Sequence, residues 1–94
     1  MNPSQEDVKW HIAETYYKIS IDTDDSDEAI GYCKKAIEFE PRFAEAYFNM
    51  GWLYSFRGCY GEAVKCWEKA IELNPGYAED LEFQLAKAKE IHNQ

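Results

Sequence analysis

The sequence predicts an all-α fold of about five helices, and three observations lead there. Apolar residues recur at three- and four-residue spacing, with no two-residue alternation of the kind a half-buried strand needs. The chain repeats itself after 34 residues. Pro41 and Pro75 stand at matching places in that period, where each stops a helix, because proline lacks an N–H and disfavours helical geometry in its predecessor.

The helices fall at roughly residues 4–20, 26–39, 43–57, 60–73 and 77–92. The first opens with Ser4 and, three residues on, Asp7, which resembles a capping box after Pro3. Along it Val8, Ile12, Tyr16 and Ile19 read as core. The second opens at Ser26 as N-cap, with Asp27 and Glu28 complementing the helix N-terminus. On the third, Tyr47, Met50 and Tyr54 point inward. Gly58 and Gly61 bracket the short turn to the fourth. The fifth carries Ala78, Leu81, Leu85, Ala88 and Ile91 as one apolar stripe, with charged residues elsewhere.

The period is carried by identities. Glu28-Ala29 falls on Glu62-Ala63, Lys35-Ala36-Ile37-Glu38 on Lys69-Ala70-Ile71-Glu72, Pro41 on Pro75, and Ala44-Glu45 on Ala78-Glu79. Within residues 44–77, Tyr47, Met50-Gly51, Tyr54, Ala63, Trp67, Ala70 and Pro75 form a recognisable series. Small Gly51 and Ala63 let two helices approach, and Tyr54 and Trp67 fill the space between them. In period and series the chain resembles the tetratricopeptide repeat family. The resemblance covers nearly the whole chain: repeat one at about 6–43, repeat two at 44–77 and a capping helix at 78–92, all in a single domain spanning 1–94. Repeat one is looser. Its first helix fits with Ile12-Ala13 for the family's Leu-Gly and Tyr16 for its Tyr, which makes the following turn about four residues longer. The resemblance implies helix pairs stacked as a short right-handed superhelix, an α-solenoid whose concave face holds a protein partner.

Bulk composition narrows the function. The 94 residues carry 18 acids against 10 bases, a net charge of -8, with no basic run. That argues against nucleic acid and against anionic membrane, which need clustered Lys and Arg. No run approaches the roughly 20 apolar residues of a membrane span, and Met1 to Lys9 lack an apolar signal core. Cys33, Cys59 and Cys66 form neither a CxxC pair nor an even framework, so reduced thiols and a cytoplasmic setting are expected.

The chain holds 15 aromatics, three Trp, seven Tyr and five Phe. Phe48, Trp52 and Phe56 sit four apart, on the side of the third helix away from its core residues. Glu45 and Asn49 share that side. Trp10, His11, Glu14, Tyr17 and Lys18 lean the same way from the first helix, and Phe83 from the fifth. The expected partner-binding groove is therefore Trp10, His11, Tyr17, Phe48, Asn49, Trp52, Phe56 and Phe83. It suits a protein or peptide segment with apolar anchors and some basic residues. The alternative is self-assembly, as a homodimer or as part of a larger array that buries the same face, because two repeats are fewer than the three usually needed. Some tetratricopeptide domains take acidic chaperone tails through Lys, Arg and Asn. Only Asn49 fits that set here; the basic places hold Asp7, Glu79 and Phe83, and like charge opposes the ligand.

No enzyme is expected. His11 and His92 lack partners at metal spacing, so neither metal nor cofactor is expected. The acidic turn Asp22 to Glu28 resembles the start of a calcium loop, but Asp27 and Cys33 occupy the places of its Gly and final Glu. No nucleophile motif or phosphate-cradling Gly-rich loop is present.

Overall fold

A computed structural model describes residues 4–93, and Pro3 lies outside them. Five helices follow one another: α1 (Gln5–Asp22), α2 (Ser26–Phe39), α3 (Ala44–Phe56), α4 (Tyr60–Leu73) and α5 (Tyr77–His92). The contacts link α1 to α2, α2 to α3, α3 to α4 and α4 to α5. The molecule measures 54 × 29 × 16 Å, an open slab.

The core advances along the slab in three steps. Ala13 of α1, Ala36 of α2, Phe43 at the N-cap of α3 and Ala46 of α3 form the first cluster. Ile30 and Cys33 of α2, Met50 of α3 and Cys66 of α4 form the second. Ala63 and Trp67 of α4 with Leu81 and Ala88 of α5 form the third. Each cluster spans two or three consecutive elements, as in quasi-one-dimensional repeat stacks. Alanine dominates because its small side chain lets helix axes come close.

The capping box is present: Ser4 Oγ accepts from the Asp7 N–H at 3.2 Å, and Asp7 Oδ2 accepts from the Ser4 N–H at 3.4 Å. At α2 the N-cap is Asp25, not Ser26. Its carboxylate accepts from the Glu28 N–H at 3.0 Å, and Ser26 becomes the first helical residue. Gly61 lies inside α4, so the turn after α3 rests on Gly58 alone, at φ +79°. The Gly58 N–H donates to Ser55 O and the Cys59 N–H to Tyr54 O, which closes α3 in a Schellman motif.

The first helix sits in a different register from the expected one. α1 ends at Asp22 and α3 at Phe56; α2 starts at Ser26 and α4 at Tyr60. Both pairs are 34 apart, and both turns have three residues. Tyr16 thus corresponds to Met50, Tyr17 to Gly51 and Ser20 to Tyr54. The extra residues extend α1 by a turn at its start instead of lengthening the loop. The inward stripe of α1 is Ala13 and Ser20, flanked by Tyr16 and Tyr17. Val8 and Ile19, expected in the core, are 43% and 39% exposed. At 100° per residue, the row Val8, Ile12, Ile19 lies about a third of a turn around the helix from that stripe. On α5, Leu81 and Ala88 are buried, but Ala78 and Ile91 at the stripe's ends are exposed.

Two glycines give opposite expectations. A methyl on Gly31 would meet nothing within 4 Å. Gly31→Ala should therefore stabilise by about 0.5–1 kcal/mol through helix propensity. Gly58→Ala should cost about 1 kcal/mol, because alanine resists the left-handed conformation. Thermal unfolding followed by circular dichroism reads both; each kcal/mol moves Tm by about 4–8 °C in a domain of this size.

Candidate functional site

α3 carries five aromatic residues, more than any other described helix. Phe48, Trp52 and Phe56 form a ladder, with ring centroids 6.4 Å and 6.0 Å apart. The four-residue spacing makes the ladder, since every fourth side chain stacks on one helix side. Its inner end is anchored. Phe48 stacks on Tyr77 at 4.5 Å, and Trp52 meets the buried Trp67 edge-on at 5.2 Å. Phe48 and Trp52 are half-buried and pack on the third core cluster. Phe56 is 73% exposed. Internal packing thus takes two rungs in part and leaves the third to solvent.

Trp10 and Tyr17 of α1 both lie on Phe43, at 4.8 Å and 5.1 Å. Burial pushes the Tyr17 hydroxyl above its ordinary range, and the charges of Glu45 and Tyr77 push the same way. Tyr77 is raised too, by burial first and then by Glu45 and Asp80. Glu45 therefore acts on both Tyr17 and Tyr77 and adds negative charge near them. Asn49 reaches inward: its Nδ2 approaches Ser20 Oγ at 3.5 Å and Cys33 Sγ at 3.7 Å. It ties α3 to α1 and α2, a role its position beside the ladder did not suggest.

His11 lies elsewhere. His11 lines an open depression on α1 with Ile12, Thr15, Tyr16 and Ile19. Phe83, 69% exposed, lines another on α5 with Glu79, Glu82 and Ala86. Tyr77 stacks on the ladder without having been expected there, although its place 34 residues after Phe43 marked it as an inter-helix aromatic. In the observed register Glu14 and Lys18 correspond to Phe48 and Trp52. The Lys18 ammonium is paired with Glu14 at 3.4 Å.

Cys33 and Cys66 are buried and free. Burial is the main cause that raises both thiols, Cys66 to about 11, with Glu62 and Cys33 adding and Lys34 opposing. Reactive thiols need a lowered value. The linkage follows from the sign. Above the ordinary value of 9.0 the unfolded Cys66 ionises while the folded one keeps its proton. Stability from this group is therefore complete below about pH 9 and falls as pH rises toward about 11. Urea unfolding across that interval should show the decline, and Cys66→Ala should lessen it, with Cys33, Tyr17 and Tyr77 supplying the remainder. Among the described residues no group of three His, Cys, Asp or Glu could hold a metal ion. No described helix is long and apolar enough to cross a membrane.

Antiparallel helix hairpins in register, with a fifth helix packed on the last, define a helical-repeat protein. The chain belongs to the tetratricopeptide repeat family, whose model matches residues 44–77. Over 64 residues it is 38% identical to the small glutamine-rich tetratricopeptide repeat-containing protein 2 of Mycosarcoma maydis, a match covering 68% of this chain and 18% of that protein. In structure it resembles MamA, with a TM-score of 0.67 and 25% identity over 86% of this chain and 58% of the MamA chain. The chain thus spans well under two thirds of either. These likenesses point to a protein–protein interaction module.

Proposed function

We propose that the chain is a single domain of two repeats and a capping helix. It holds a partner peptide on the face formed by α1, α3 and α5. The observation that carries this is Phe56, a large apolar side chain 73% exposed at the open end of an otherwise anchored aromatic ladder. Exposed aromatics on a rigid support supply contact area at low entropic cost. Phe83 adds a second exposed ring, beside Glu79 and Glu82. With Glu45 near Tyr17 and Tyr77, the face is aromatic and acidic. It suits a segment with apolar anchors and Lys or Arg between them, and like charge disfavours an acidic tail.

Phe56 and Phe83 are clean probes, because neither belongs to the buried core. Capture of partner proteins by the intact chain, repeated with Phe56→Ala and Phe83→Ala, tests the reading. Each change should weaken binding of a captured partner by about 10- to 30-fold, the size of an interface anchor, with the melting curve unchanged. Undiminished capture by the double variant would remove the assignment.

A further inference from the structure

α1 carries an apolar face that the monomer leaves open. Val8 and Ile19 are exposed, and Ile12, Tyr16 and Ile19 line a depression with His11 and Thr15. The 34-residue period says what this face is. Ile12, Tyr16 and Ile19 correspond to Ala46, Met50 and Leu53 of α3. There Ala46 and Met50 are buried, and Met50 and Leu53 pack in the cluster that holds Ile30 and Cys33 of α2.

The covering half of that interface occurs twice. α2 brings Ile30, Cys33 and Ile37 to the cluster it shares with α3. α4 brings Val64, Trp67 and Ile71, each 34 residues further on, to the cluster built on Leu81 and Ala88 of α5. In both, branched apolar residues hold the first and last places of an i, i+3, i+7 triplet. Among the described residues, α1 has the receiving face without a helix upon it.

We propose that this face docks an amphipathic helix of a partner protein, one presenting the same triplet of branched and apolar residues. Continuity with the α2–α3 interface fixes the chemistry of the occupant. A second copy of this chain is a poor donor, because its own two triplets are already engaged on α3 and α5. The connection differs as well. Pro41 to Phe43 lead α2 into α3, whereas the corresponding residues 7–9 lie within the first turns of α1, which the Ser4 capping box opens. The site is separate from the groove, since Val8, Ile12 and Ile19 lie on another side of α1.

The probe is a 14-residue peptide with the sequence of α2, Ser26–Phe39, held helical by a lactam between Gly31→Glu and Lys35 on its solvent side. The lactam removes helix formation as a reason for failure. Added to the intact protein, it should shift the amide signals of Ile12, Thr15, Tyr16 and Ile19. Ile12→Glu with Ile19→Glu should weaken binding at least ten-fold while helicity is kept, and Phe56→Ala should leave it unchanged. Three results would overturn the proposal: no α1 shifts at saturating peptide; shifts centred on Phe48 to Phe56; or, in sedimentation equilibrium, a dimer of the free protein abolished by the two glutamates.

Discussion

Trp67→Ala should remove a large share of the protein's stability and sharply lower its urea midpoint. Trp67 is 1% exposed, supports Trp52 edge-on and packs with Leu81 and Ala88 of the last helix. Truncating a buried tryptophan costs about 3–5 kcal/mol, against a total of about 5–15 kcal/mol for a domain. α5 contributes Leu81 and Ala88 to the same cluster, so it should be released as well. Trp67→Phe should behave differently. The indole Nε1 is buried without a hydrogen-bond partner. An orphaned donor costs about 1–3 kcal/mol, and phenylalanine removes it together with part of the ring. The two terms oppose, so the net cost should stay below about 1.5 kcal/mol, the range of a tolerated apolar swap. Urea midpoints of the two variants separate these outcomes.

Gly51→Ala is the second large effect, and its sign runs against helix propensity. Alanine in a helix interior gains about 0.5–1 kcal/mol over glycine. At Gly51, however, the new Cβ would lie 2.3 Å from Trp67 Nε1 and 2.4 Å from its Cδ1. The ring is rigid and enclosed, so α3 and α4 must part. Overpacking of this kind costs about 1–3 kcal/mol or more. Gly61 provides the control. A Cβ there would meet the ring of His92 at 2.8 Å, but His92 is exposed at the end of α5 and can turn away. Gly61→Ala should therefore be neutral or mildly stabilising. The loss at Gly51 should shrink in a Trp67→Phe background, with a coupling of about 0.5–3 kcal/mol for residues in direct contact.

This pair shows why the fold was legible. Gly51 and Trp67 announce a close helix crossing through size alone, and the identities from Glu28 to Glu79 carry the period. The sequence failed at α1. There the size relation is reversed: Tyr17 stands where repeat two has Gly51, and Cys33 where it has Trp67. Matching small to small moved Ala13 onto Gly51 and invented a longer turn. Helix ends set the true register, and those depend on Asp25 capping and on a three-residue loop.

The site was legible as a ladder, since four-residue spacing needs no tertiary knowledge. Its partition was not. Whether Phe48 and Trp52 serve the core or a ligand depends on Tyr77 and Trp67, which arrive from other helices. Asn49 turns inward because Ser20, a register error away in the sequence reading, lies opposite. His11 lines the α1 depression, a placement that the repeat period does not foretell.

Selection of peptides from a random displayed library on the intact protein tests the central claim most directly. The selected peptides should carry aromatic or aliphatic anchors with Lys or Arg between them, should lack Asp and Glu, and should lose binding to the Phe56→Ala, Phe83→Ala double variant. Acidic peptides, or peptides that bind the double variant as well as the parent, would contradict it.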